Sequence, residues 1–146
     1  MTVIAWDGIT LAADKLGECQ GLIRTTTKIR KIRNNLVGIA GAASIGMEMF
    51  AWIAGGEKKG SFPESQMTGE DWAEVLVIRP GGLIFVYERT PYPVQYDAKF
   101  FAIGAGADFA VTAMYLGKDA YEAVRIACYL STQCGCGVDE LRLKPV

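Results

Sequence analysis

Histidine is absent from this 146-residue chain. That removes the usual general base of Ser-His-Asp and Cys-His hydrolases, and with it the commonest metal ligand. Any hydrolytic chemistry here must find another proton acceptor. Long apolar runs are missing as well: no stretch reaches the roughly 20 residues that a membrane-spanning helix needs. The N-terminus has no basic segment leading into an apolar one, so no secretory signal is read and a cytoplasmic chain without membrane association is expected. An excess of charge is also lacking, with 15 Lys and Arg against 16 Asp and Glu. No broad field draws polyanions, and nucleic acid is not expected as a partner.

Cysteine is present but in the wrong pattern for a metal. Cys134 and Cys136 are spaced C-x-C, and Cys19 and Cys128 are scattered, so without histidine no zinc site is read and no cofactor is expected. Buried, reduced thiols are the better reading. The chain is hydrophobic over 51% of its residues, enough for a core, and its length fits one domain spanning 1–146.

The first element predicted is a hairpin. Residues 2–6 (TVIAW) and 9–13 (ITLAA) are β-prone and flank Asp7-Gly8, a pair suited to a two-residue turn with positive φ at both positions. TTKIRKI (26–32) and LVGIA (36–40) form a second pair around Asn34-Asn35. From Ala42 the pattern turns helical: Ile45, Met49, Trp52 and Ile53 recur at helical spacing with further apolar residues between them. The polar, breaker-rich stretch 55–71 reads as a loop, the one segment expected to be mobile. Residues 73–79 and 83–88 form an apolar hairpin around Pro80-Gly81-Gly82, apolar enough to be covered on both faces. Short strands are predicted near 94–96 and within 99–104.

Two helices follow, the first capped by Asp108 and ended by Gly117. The second begins at a capping-box-like Asp119-x-x-Glu122 and carries Val124, Ala127, Cys128 and Ser131 on one stripe. A strand over 139–144 closes the chain. Hairpin-joined strands with helices in blocks fit an α+β fold, a four-layer α/β/β/α sandwich of two antiparallel sheets, although a two-layer α+β arrangement fits the same pattern.

Without histidine, the second residue becomes the interesting one. Met followed by a small residue is a start from which an aminopeptidase removes the initiator, exposing the α-amine of Thr2. An α-amine with a pKa of roughly 7.7–8.0 is partly unprotonated near neutrality, and a Thr bearing its own amine is a nucleophile with a built-in base. Taken singly, this residue and others further along have plainer readings. Thr at position 2 is common, Asp14 suits a turn cap, Lys28 sits in KIRKIR like a solvated strand residue, and Gly38 and Gly41 suit tight packing.

Five ordered motifs resemble proteasome β-type subunits: T-x-x-A-x-D-G-x-x-L-A-A-D from Thr2, T-K-I-R-K-I around Lys28, G-I-A-G-A-A-S from Gly38, A-I-G-A-G-A-D-F-A from Ala102 and G-x-G-V-D-E-L from Gly135. The chain is most similar to the short proteasome-like proteins of bacteria and tailed phages. The resemblance implies an N-terminal-nucleophile hydrolase fold with one helical layer reduced. It further implies a threonine-type endopeptidase in which Thr2 is the nucleophile, Asp14 and Lys28 assist it, and the N–H of Gly41 faces the oxyanion. Ile39 and Ala43 would then flank the pocket for the substrate residue before the scissile bond. Peptides or unfolded proteins as substrates, a self-compartmentalised homo-oligomeric ring and an ATP-dependent unfoldase partner come with the same resemblance. Activation would require only loss of Met1.

Two positions depart from that family's pattern. Ala105 stands where a serine is usual between two glycines, and Ser131 where an aspartate is common, both near the α-amine. Their loss supports a second reading, a catalytically weak or silent assembly protein that keeps the fold.

Overall fold

The computed structural model describes residues 1–144, so the last two residues of the expected 1–146 span lie outside it. The chain opens with the hairpin β1 (Ile4–Trp6) and β2 (Thr10–Asp14), followed by a ribbon of β3 (Leu16–Cys19) and β4 (Leu22–Thr25). Next come β5 (Ile29–Ile32), β6 (Asn35–Gly41), α1 (Ala43–Ala54), α2 (Glu64–Thr68), β7 (Ala73–Arg79), β8 (Leu83–Tyr87) and β9 (Val94–Tyr96). The last part holds β10 (Phe101–Ile103), α3 (Ala107–Tyr115), α4 (Ala120–Leu130) and β11 (Val138–Arg142).

All pairing is antiparallel, in a four-stranded sheet ordered β10-β1-β2-β11 and a five-stranded sheet in sequence order from β5 to β9. Period-two alternation explains how the sheets stack. On β7, Leu76 and Ile78 point into the space between the sheets, where they meet Ile4, Trp6, Leu11 and Leu36. Val75 and Val77 point the other way and pack on Met49, Phe50, Trp52 and Ile53 of α1. On the opposite sheet, Val3, Ala5 and Ala12 face α3 and α4. Each fully buried Leu or Ile in these layers contributes about 1.5–3 kcal/mol. The result is the four-layer α/β/β/α sandwich, and the two-layer alternative is excluded. One outer layer is thin: α1 is backed only by the five-residue α2.

Local details differ from the sequence reading for identifiable reasons. Trp6 pairs with Leu11, so the first turn lies at Gly8-Ile9, one residue later than expected, and only Gly8 has positive φ. The Asp7 carboxylate accepts from the N–H groups of Ile9 and Thr10 and thereby holds that turn. Likewise Ile32 pairs with Asn35, which shifts the second turn back to Arg33-Asn34 with Arg33 at φ 56°.

The segment 55–71 is folded rather than plain loop. Gln66 of α2 is fully buried and hydrogen-bonds the backbone of Ala73 and Glu88, which pins the segment to β7 and β8. Asp108 lies inside the first turn of α3, whose cap is Gly106. The end of α3 is as expected: the N–H groups of Gly117 and Lys118 reach back to Met114 and Ala113, with Gly117 at φ 96°. Asp119 caps α4 by accepting from the N–H of Glu122.

Candidate active site

The second residue of the chain is 6% exposed, and the reason lies in the glycines of the loop after β10. Gly106 N–H donates to the Thr2 carbonyl at 3.1 Å. A Cβ on Gly104, which has φ 95°, would lie 2.3 Å from that same carbonyl oxygen. Only glycine at 104 lets the N-terminal strand come this close. The G-A-G spacing is therefore a seat for Thr2.

Asp14 ends β2 and is fully buried, so its charge must be compensated. Oδ1 accepts from the N–H of Val3 at 3.0 Å and from Lys28 Nζ at 2.8 Å. Oδ2 accepts from the N–H groups of Leu16 at 3.2 Å and Gly135 at 3.0 Å. Lys28, just before β5, is also buried; its Nζ donates to Thr2 Oγ1 at 3.1 Å and to the Met1 carbonyl at 2.8 Å. Thr2 Oγ1 in turn donates to the Met1 carbonyl at 2.7 Å. With Met1 attached, the Thr2 nitrogen is an amide and has no base character.

Gly41 ends β6 at φ 113°, and a Cβ there would lie 2.6 Å from the Trp72 carbonyl, so the position admits glycine alone. Strand amides alternate in direction. The N–H of Ile39 points away from β7 and donates to the Lys28 carbonyl at 3.0 Å. Two residues on, the N–H of Gly41 is turned to the same edge, beyond the end of β5 and on the side of Lys28 and Thr2.

A cavity of about 500 Å³ opens beside Thr2. Lys28, Ile39, Gly41 and Ala43 line it with Thr2, so the expected catalytic and pocket residues other than the buried Asp14 share one cavity wall. Several lining residues went unnoticed in the sequence, among them Met47, Glu18 and Arg24. Met47 follows Ala43 by one helical turn on α1, a spacing that could have flagged it, while Glu18 and Arg24 come from the unforeseen ribbon β3–β4. Ala105 lines a second cavity that also reaches Thr2, whereas Ser131 caps the end of α4 and accepts from the N–H of Gln133.

The Cys128 and Cys134 thiols are poor candidates for a nucleophile. Burial pushes Cys128 up to about 11 and raises Cys134 as well, with the Asp14 carboxylate adding to both. Among the described residues no cluster of three or more metal-binding side chains occurs, and no helix is long and apolar enough to cross a membrane.

The sandwich, with Thr2 at the mouth between its sheets, is the N-terminal-nucleophile hydrolase fold of the proteasome type. The chain is similar over 99% of its length to all of Thiobacillus denitrificans BPH in complex with epoxomicin, with 21% identity and a TM-score of 0.72. It is likewise similar to Thiobacillus denitrificans BPH, with 22% identity and a TM-score of 0.73 over 99% of each chain. Eukaryotic HslV from Trypanosoma brucei aligns with 97% of this chain and 98% of its own, at 19% identity and a TM-score of 0.71. No protein-family model and no curated protein matches the sequence.

Proposed function

We propose that the chain is a threonine-type endopeptidase that acts through Thr2 once the bond to Met1 is broken. The observation that carries this reading is the buried relay in which one ammonium, Lys28 Nζ, touches both Thr2 Oγ1 (3.1 Å) and Asp14 Oδ1 (2.8 Å) at a cavity wall. A cation there favours an unprotonated α-amine and a developing alkoxide, and Asp14 holds that cation in place.

In the proposed reaction Thr2 Oγ1 adds to the scissile carbonyl carbon while its proton passes to the α-amine. The oxyanion is received by the N–H of Gly41. The C–N bond then breaks, the leaving amine takes the proton, and an ester on Thr2 remains. Water hydrolyses that ester, giving its proton by way of the amine to Oγ1 and releasing the acid. Ile39 and Ala43, with Met47, form an apolar pocket for the substrate residue before the scissile bond.

The likeness in fold to HslV and to BPH, one structure of which holds epoxomicin, supports this reading. By the same analogy we propose a homo-oligomeric ring with inward-facing sites, acting on peptides or unfolded chains, with an ATP-dependent unfoldase as its partner. A second reading rests on Ala105, which puts a methyl group in the cavity where a hydroxyl would help hold the α-amine: a silent assembly protein with this fold.

Intact mass before and after an epoxyketone separates the two readings. Loss of Met1 plus one stoichiometric adduct, absent in Thr2→Ala, is the expected result. A chain starting at Thr2 that takes up no adduct supports the silent protein instead.

A further inference from the structure

Thr2 is reached by cavities on two sides, and they differ in chemistry. The second, of about 340 Å³, is walled by Thr2, Gly41, Trp72, Glu74, Gly104 and Ala105. Met1, Thr2 and Gly41 belong to both cavities, so loss of Met1 opens the space between them. A peptide whose scissile carbonyl lies between Thr2 Oγ1 and the Gly41 N–H therefore places its two halves in different cavities. The acyl half lies along Ile39 and Ala43, and the leaving half enters the second.

Glu74 gives that second cavity its character. It sits on β7 two residues before Leu76 and four before Ile78, both of which fill the space between the sheets, so Glu74 faces the open end of the same space. It is half-buried, yet among the described residues its carboxylate makes neither an ion pair nor a hydrogen bond. Continuing the pairing of Val75 with Tyr87 brings Glu88 opposite Glu74, a second carboxylate rather than a cation. No buried side-chain oxygen among the described residues lacks a partner, so the Glu74 carboxylate reaches solvent in this cavity, where a positive group on a bound peptide can meet it.

We propose that the second cavity is the subsite for the leaving-group half of the substrate, and that Glu74 makes it select a lysine or arginine immediately after the scissile bond. The inference rests on Thr2 being a working nucleophile. Burial first, and Glu88 second, raise the Glu74 carboxyl above its usual range, and a bound cation offsets both effects.

The test is a set of internally quenched peptides that differ only at the residue after the scissile bond, being Lys, Ala or Glu. They are digested by the full-length protein and by Glu74→Gln, with cleavage sites read by mass spectrometry. The expected result is a kcat/KM for Lys over Glu of roughly tenfold in the wild type, within reach of one charge-assisted contact, falling close to parity in Glu74→Gln. A flat profile in an enzyme that cuts all three peptides overturns the subsite and leaves the peptidase reading standing. An equal loss on all three in Glu74→Gln, with the Lys preference kept, assigns Glu74 to holding the α-amine and also overturns it. Cleavage of no peptide overturns the peptidase reading and the subsite together.

Discussion

Lys28 and Asp14 form an ion pair of 2.8 Å whose side chains are 7% and 0% exposed, and the two partners are unequally supported. Asp14 keeps three backbone N–H donors if Lys28 is lost; Lys28 keeps only the Thr2 hydroxyl and the Met1 carbonyl if Asp14 is lost. Asp14→Ala should therefore destabilise the fold by about 3–5 kcal/mol, the cost of stranding a buried charge, and Lys28→Met by clearly less. Urea denaturation of both variants measures the difference. Both should abolish epoxyketone labelling, so stability and chemistry separate in Lys28→Met.

Gly104→Ala tests the seat of Thr2. The new Cβ meets a backbone carbonyl at 2.3 Å, at a positive φ, and cannot be relieved by a rotamer. Displacing Thr2 relative to Lys28 should cut the rate of adduct formation by about 100-fold, since misplacing a reacting group by about an ångström has that effect. Strain of roughly 1–3 kcal/mol should lower the denaturation midpoint as well.

Ala105→Ser restores a hydroxyl in the cavity that reaches Thr2. One additional neutral hydrogen bond to the α-amine, about 1 kcal/mol, should speed labelling roughly fivefold. An unchanged rate would show that the methyl group at 105 is not what limits this site.

Met47→Ala should widen the pocket beside Ile39 and Ala43. Discrimination by one methylene is worth about 1–3 kcal/mol, so peptides with Phe before the scissile bond should gain roughly tenfold over those with Ala. Profiling a peptide library against both proteins reads this directly. Ile39 is the wrong residue to change first, because it is 6% exposed and packs so closely on Gly46 that a Cβ there would meet its Cδ1 at 2.3 Å.

Glu74 gives a pH signature. Its carboxyl is raised in the folded chain by burial and by Glu88, so the native state holds the proton more tightly than the unfolded one. The stability this contributes is complete below the ordinary glutamate value of about 4.3 and is lost as pH rises through the native value. Glu74→Gln should therefore be more stable than the parent at neutral pH, with the advantage vanishing in acid. Paired denaturation curves at pH 4 and pH 7.5 check the sign.

The layers were legible because β7 and β8 are apolar almost throughout, which requires cover on both faces, and because the helical stripe on α1 begins where β6 ends. Turns were legible only to within a residue, because the Asp7 carboxylate holds the first and the pairing of Ile32 with Asn35, with Arg33 at positive φ, sets the second, features that a dipeptide does not display. The ribbon β3–β4 escaped because an exposed strand pair needs no apolar alternation; Ile23 is 70% exposed. Asp14 and Lys28 were legible only through the resemblance, since each has an ordinary reading alone, while the missing histidine and the Met-Thr start already pointed to Thr2. Glu74 was hidden because it interrupts an apolar strand by a single residue, and nothing in the sequence places that residue beside Thr2.

The carboxylate of Asp14 is held by backbone amides from three stretches of chain, the last of them Gly135, 121 residues downstream. The pairing of β11 with β2 brings Gly135 to that carboxylate, so the surroundings of Thr2 and Lys28 draw on both halves of the sequence. Loss of the β11 pairing should therefore loosen Asp14 and, through it, Lys28, although neither residue lies in that part of the chain.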